Sequence, residues 1–334
     1  MHRVILLFTT TTLIFLMSGC AQKVSIRALE PAEVDRVANT KKITVTNFQN
    51  DTVGLSRKIE SNLASFEIDS KNYFTMVSSN DFDKIIREQK IQNSGLVEQK
   101  TAVAVGELIG AQAIISGNVG TPTSQDSNFY ETRARCADKK CSELVYYNVR
   151  CVKRVVGLSA EIRIVDVEKG DIVFADTLDK NAVYKHCSDD SNPLPSTSMA
   201  AQKLSISMAN IFTYRLTPHY RSFSVILLED PDLDYDDKQE ELLEVSLQYI
   251  EQGRYDKAEQ FLTQLIDSTN SQSYVAFYNL GVVKEAQGNY EEAKEYYGYA
   301  DNLMVEPIEE INSAVMRIGS LIKKRKKTRE QIER

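Results

Sequence analysis

One eight-residue phrase occurs twice, and the distance between its copies restricts what the second half of the chain can build. Gln252-Gly-Arg-Tyr-Asp-Lys-Ala-Glu259 returns as Gln287-Gly-Asn-Tyr-Glu-Glu-Ala-Lys294, an offset of 35 residues. Self-similarity at a period of roughly 20–50 residues marks stacked supersecondary units, because each unit leaves an apolar face that only a neighbour can bury. Around both copies small and large residues alternate at helical spacing, so that small ones let paired helices approach and large ones fill the gaps.

The second copy resembles a tetratricopeptide unit. Phe277, Leu280 and Gly281 stand on its first helix, followed by Gly288, Tyr290, Ala293, Tyr297 and Ala300. Lys284 takes the place of the usual aromatic, and the terminal proline comes late, at Pro307. The first copy keeps Leu242, Tyr249, Gly253, Ala258 and Leu262 but has Ser246 where the helix-packing glycine is expected. Two repeats over 239–307 are followed by the stripe Ile308, Ile311, Val315, Ile318 and Ile322, which predicts a capping helix over 308–322. Two repeats and a cap fall below the three or so that usually stand alone, so the module is expected to lean on the first domain or on a partner. The resemblance implies a groove that receives a protein, with Tyr296, Tyr297 and Tyr299 as core and groove lining. Residues 323–334 form a basic tail, expected as a solvated helix end whose cations suit the helix dipole. Its functional alternative is contact with anionic lipid or another acidic surface.

The N-terminal end makes a different statement. Arg3 is the only charged residue before Lys23, and the apolar run Val4–Met17 is fourteen residues long. At about 1.5 Å per residue that is too short to span a bilayer core of about 30 Å, and it reads as an export signal over 1–19. Leu16-Met17-Ser18-Gly19-Cys20 resembles the bacterial lipobox, with Met17 a mild departure. The resemblance implies that Cys20 is acylated and holds the protein in lipid, stably because more than one chain is attached. Ala21 rather than Asp after the cysteine favours the outer membrane by the enterobacterial sorting rule. Residues 20–38 are then an anchor and tether. Of five cysteines, four remain: Cys136, Cys141, Cys151 and Cys187. In an oxidising periplasm they permit three pairings. The favoured one joins Cys136 to Cys141 across a loop tip and Cys151 to Cys187 between neighbouring segments, with free thiols as the alternative. Four residues between Cys136 and Cys141 do not suit zinc.

Between these ends, residues 39–228 mix strands and helices in an α/β or α+β layer arrangement. Strands are expected at Ile43–Phe48, Tyr73–Val77, Ala113–Gly117 and Ser222–Leu228, and a hairpin at Val156–Val165 with Ile172–Thr177. Helices are expected at Ser56–Phe66, after Ser78 through Phe82, Ile85 and Ile86, at Glu98–Ile109, and around Leu204, Met208, Ile211 and Phe212. The stretches 73–90, 106–118 and 162–171 resemble, in order, the CsgG/HfaB family of curli secretion-channel lipoproteins. That resemblance implies a CsgG-like periplasmic domain with a mixed sheet. It also implies that some relatives form rings whose hairpins build an outer-membrane barrel, which makes a homo-oligomer one expected assembly. The insertion 120–157 does not follow the pore pattern. A lipid-facing strand needs about 9–11 residues alternating apolar and polar. Arg150 and Arg154 fall on one face of this segment, and Lys153 shares the other with Cys151. A disulfide-stapled periplasmic hairpin is the better reading. The second insertion position, Lys185–Thr197, is short and polar.

Residues 229–238 are an acidic linker. Asp230, Asp232, Asp234, Asp236 and Glu241 fit positions 1, 3, 5, 7 and 12 of a calcium loop, but Tyr235 stands where that loop demands glycine. Asp230, Asp232, Asp234 and Glu241 are therefore only a weak metal candidate, and a solvated linker is the default. Composition narrows the function classes. A net charge of −7 argues against a nucleic-acid binder, and three histidines with no phosphate loop or hydrolase motif argue against an enzyme or a cofactor site. The expected protein is an outer-membrane-anchored periplasmic lipoprotein. It would recruit envelope proteins through its tetratricopeptide groove, as an accessory to assembly or secretion of a curli-like surface structure. A transport pore and a regulator of envelope or peptidoglycan synthesis are the competing expectations.

Overall fold

Ile43 and Val45 alternate with polar neighbours, and so do Leu158, Ala160, Ile162 and Ile164; these two runs seed the sheet. The computed structural model describes residues 22–78 and 99–333, and the chain divides into two units. A sheet unit comprises Leu29–Tyr220 and Lys324–Arg334; a helical unit comprises Arg221–Lys323 with the segment up to Ala28.

In the sheet unit, β2 (Lys42–Val45) lies parallel to both β5 (Thr75–Met76) and β6 (Ala113–Val119). β6 runs antiparallel to the inner half of β8 (Leu144–Asp166), with Ile115 opposite Ile164. The outer half of β8 pairs with β7 (Thr123–Cys136), from Gly157 opposite Thr123 to Leu144 opposite Cys136. β9 (Asp171–Cys187) covers the other side of β8 from Asp166 out to Cys151. The result is a mixed, curled sheet whose β7–β8–β9 portion projects as a blade. A small hairpin, β3 (Glu67–Ile68) with β4 (Lys71–Asn72), stands apart.

Helices α2 (Leu55–Ala64) and α4 (Thr197–Leu216) pack on one face of the sheet, through Ile59, Leu63, Met208 and Phe212 against Leu158, Ile162 and Ile164. On the opposite face α3 (Gln99–Ile109) sets Ala102 and Val105 against Ile114, Val165 and Val167. A short α1 (Asp35–Ala38) completes the unit. The strand expected to run from Tyr73 to Val77 pairs only at Thr75–Met76, because Tyr73 and Phe74 turn inward as a T-shaped aromatic pair. The helix expected through Phe82, Ile85 and Ile86 lies outside the described residues. The hairpin expected to end at Thr177 runs on to Cys187, ten residues further along β8.

The helical unit departs from the expected boundaries. Its five helices are α5 (Asp237–Glu251), α6 (Tyr255–Ser268), α7 (Tyr274–Ala286), α8 (Tyr290–Leu303) and α9 (Glu309–Glu333), the last of which ends among sheet-unit residues. Gly253 and Gly288, at equivalent places in the repeat, adopt φ of 70° and 80°. That left-handed turn lets each helix pair fold back on itself, and glycine takes it without a Cβ penalty. Asp236 and Gln239 form a reciprocal capping box at the start of α5.

The unit also owns a two-stranded sheet, β1 (Lys23–Glu30) with β10 (His219–Ile226). Residues 20–38, expected as a tether, are therefore structured from Lys23 onward. Val24, Ile26 and Ala28 alternate inward and join one hydrophobic cluster with Val225, Leu227 and the helices. The expected last strand of the sheet domain, Ser222–Leu228, belongs to this cluster as well.

Candidate interaction surface

The repeat positions lie in the core of the helical unit. Leu280, Ala293, Tyr297 and Ala300 are at most 1% exposed, and Phe277 and Tyr290 are nearly as buried. A Cβ on Gly281 would stand 2.6 Å from the Tyr297 ring, so the two helices can approach this closely only with glycine there. In the first repeat Ser246 is buried at the corresponding position and donates its hydroxyl to Leu243 O at 2.7 Å, satisfying itself within its own helix. Lys284 is also buried, and its ammonium meets Glu259 at 2.8 Å and Glu292 at 2.6 Å. Burial acts to lower its pKa, but these two carboxylates prevail and hold it above its ordinary value.

Every residue of α7 from Val275 to Glu285 is buried, which leaves no open groove along it. Part of the cover is the chain's own β10 and the residues just after it. Tyr278 donates its hydroxyl to Ile226 O at 2.7 Å. Asn279 clamps Leu228 by its backbone, donating Nδ2 to Leu228 O at 2.7 Å and accepting Leu228 N–H at 3.1 Å. Gln22 takes Leu227 N–H on its carbonyl at 3.0 Å and reaches Leu247 O on α5 at 3.4 Å. Glu285, with no exposed side-chain surface, accepts from Arg317 of α9 at 2.8 and 2.9 Å and from the Tyr297 hydroxyl. Along this helix the chain thus supplies its own packing partners. Of the three tyrosines expected as core and lining, Tyr297 is core, Tyr296 half-buried and Tyr299 half-exposed.

The acidic stretch is likewise engaged rather than solvated throughout. Asp232 accepts from Tyr235 Oη and Ser273 Oγ at 2.8 Å each, from Tyr274 N–H at 2.5 Å and from Val275 N–H at 3.3 Å. It thereby satisfies donors at the start of α7, where a negative charge also suits the helix dipole. Asp232 is thus engaged at a helix end. Asp230, Asp234 and Glu241 join no ligand-distance cluster among the described residues. The one such cluster is Glu131 with Cys151 and Cys187, and both of its sulfurs are in a disulfide. Such sulfurs offer no thiolate to a metal.

The blade is the open part of the molecule. Cys151 is bonded to Cys187 directly across β8 and β9, and Cys136 to Cys141 at the hairpin tip. Val149 and Phe129 pack on the inner disulfide. Side chains alternate between two faces, and both are charged. One carries Arg133, held by Asp189 at 2.8 Å and Asp190 at 3.0 Å, and Lys185 paired with Glu131. The other carries Arg154, bidentate on Asp126 at 2.6 and 2.8 Å. The Arg154 hydrogen bonds hold Asp126 below the ordinary carboxylate range, and the Cys187 N–H with Arg133 does the same for Asp190. Towards the tip Tyr130, Leu144, Val145, Tyr146 and Tyr147 are exposed by 73, 49, 41, 69 and 37%.

Residues 23–188 match the family model described as Curli production assembly/transport component CsgG, and residues 274–299 match a tetratricopeptide-repeat model. The chain carries a CsgG-family domain. A search of curated proteins finds no match. Among solved structures, the lipoprotein GNA1162 from Neisseria meningitidis is similar over 52% of this chain and 98% of that one, at 15% identity and a TM-score of 0.25. The CsgG-family match begins with β1 and ends one residue past Cys187, so it takes in the whole blade.

Two further sites in the sheet unit were not expected from the residues. Arg36 bridges Asp166 at 2.9 Å and Asp171 at 2.6 Å, closing the β8–β9 turn, and its hydrogen bonds hold Asp171 below the ordinary range. At the end of α9, Lys41 Nζ donates to Gln331 O at 2.7 Å and lies 3.7 Å from the centre of the Tyr73 ring. Burial pushes Lys41 down to about 8. Lys324 pairs with Glu30 at 2.7 Å, Lys327 approaches Asp35 at 3.5 Å, and Thr328 and Gln331 are at most 1% exposed. The expected cap over 308–322 and solvated tail over 323–334 are therefore one helix, packed at its end, with Ala314 and Leu321 buried where Val315 was expected. Among the described residues no helix is long and apolar enough to cross a membrane.

Proposed function

We propose that the protein is an outer-membrane lipoprotein, anchored through acylated Cys20 and facing the periplasm. It works by protein–protein contact as an accessory to assembly or export of a surface structure. The observation that carries this reading is the distribution of charge on the blade. Glu131, Arg133 and Lys185 stand on one face and Asp126 and Arg154 on the other. A strand in a lipid-facing barrel has to present an uncharged band to the bilayer; an arginine or lysine at the midplane costs about 2–4 kcal/mol. The pairing of a CsgG-family domain with a tetratricopeptide repeat supports an interaction role.

Strand length favours a second reading. β7, β8 and β9 have 14, 23 and 17 residues, enough to cross a membrane as part of a ring-shaped pore. Full-length protein purified in detergent separates the two. A species without conductance in planar bilayers is expected, and a conducting ring overturns the accessory reading. Cys20→Ala is expected to move the protein out of the outer-membrane fraction; retention there overturns the anchor.

A further inference from the structure

β9 stops short of the blade's end. Its last residue, Cys187, lies opposite Cys151, and Ser188 N–H then donates to Arg150 O at 3.0 Å. Beyond that point Leu144–Val149 of β8 are paired on one side only, with β7, among the described residues. Backbone groups alternate sides along an antiparallel strand. Since Arg150 turns its carbonyl towards β9, the peptide groups of Asn148, Tyr146 and Leu144 face the same open side.

The segment so exposed is Leu144-Val-Tyr-Tyr-Asn-Val149, without charge, proline or glycine and built from strand-favouring residues. Natural edges are blunted by lysine, proline or a bulge, and an unprotected segment of about six such residues pairs readily with another strand. No such device interrupts this one. Charge selects what can pair. Arg135, Lys139, Lys140 and Arg150 are all exposed around the segment, and among the described residues none forms an ion pair; Arg135 stands 5.6 Å from the Tyr147 ring. By contrast Arg133, opposite Tyr147, is held by Asp189 and Asp190, and nearer the core Arg154 is held by Asp126. Of the carboxylates at the tip, Asp138 accepts from the Lys140 and Ser142 N–H groups and the Ser142 hydroxyl of its own loop, and Glu143 is exposed beside Leu144.

We propose that the open side of β8 at Leu144–Val149 docks an extended acidic segment of another protein, which adds as a strand in line with β9. Main-chain hydrogen bonds supply the pairing, alternate apolar side chains lie on Tyr146 and Tyr147, and carboxylates meet the four unpaired cations. A second copy of the chain fits less well, because two tips would bring like charges together. This inference rests on reading the protein as a contact-making accessory and names the chemistry of one contact.

The probe is a labelled peptide of alternating Glu and Val, titrated into full-length protein in detergent. Its Lys–Val counterpart and a version N-methylated at alternate residues serve as controls. Saturable binding is expected at least about tenfold tighter than for the Lys–Val peptide, weakening as salt rises. It should vanish on N-methylation and slow hydrogen exchange at Leu144, Tyr146 and Asn148. Arg150→Glu, an exposed substitution that leaves the melting curve in place, is expected to weaken binding severalfold. Equal affinity for both peptides, unchanged exchange at the three amides, or a dimer that protects them without peptide overturns the proposal. If the protein is silent in planar bilayers, such a result removes this edge alone; a conducting ring removes the accessory reading beneath it.

Discussion

Helix α7 and the outer half of strand β8 carry opposite burdens. The helix is buried on every side from Val275 to Glu285, with its polar groups matched inside the chain, as Asn279 is to Leu228 and Glu285 to Arg317. The strand exposes Leu144–Asn148 on both faces and leaves one edge without a partner among the described residues. The element that resembles a recruiting module is closed, and the element that resembles a membrane hairpin is open and charged. Family resemblance therefore locates the parts of this chain without locating its free surface.

Removing one half of a buried ion pair should break the comparison most severely. Arg317→Leu leaves Glu285 without its cation, and Glu285 has no exposed side-chain surface. A loss of about 3–5 kcal/mol in the urea unfolding of the helical unit is expected. The double variant Glu285→Leu with Arg317→Leu should recover much of it; no recovery would mean that Arg317 acts through packing on Phe223, whose ring centre it lies 5.7 Å from. On the sheet side the effect should be somewhat smaller. Cys151→Ser with Cys187→Ser opens a cross-link of 36 residues and should cost about 2–4 kcal/mol. Cys136→Ser with Cys141→Ser opens one of 5 and should cost roughly 1.5–2 kcal/mol less. Equal shifts in urea midpoint would show that the inner disulfide does not constrain the blade.

The smallest effect is a pH dependence. Lys41 titrates at about 8 in the folded chain against 10.5 unfolded, so between those values the unfolded chain binds more protons. Stability of the sheet unit should therefore rise with pH across that window, and below it the penalty is fully present. Lys41→Met should flatten the rise in melting temperature; an unchanged slope would mean that the Gln331 carbonyl and the Tyr73 ring compensate the buried charge.

Much of this plan is legible in the residues. The mixed sheet followed by helices is readable because period-two runs such as Leu158–Ile164 precede period-3.6 runs, and the glycine-tyrosine phrase repeats at a helix-pair spacing. What is not legible has physical causes. Lys23–Glu30 has strand alternation, but its partner lies so far along the chain that it reads as a tether beside an export signal. The end of α9 reads as a solvated charge run because its buried residues, Thr328 and Gln331, are polar and gain their burial from hydrogen bonds such as Gln331 to Ala32. The burial of α7 is invisible for the same reason. A clamp such as Asn279 on Leu228 uses backbone groups, which every residue possesses.

The distance between β1 and its partner also dictates an order of events. Gln22 N–H bonds to Glu229, 207 positions later in the chain. Contacts so remote in sequence form only after the intervening chain has emerged, since closing a long loop costs entropy before any contact offsets it. The strand nearest Cys20 is thus made early and seated late.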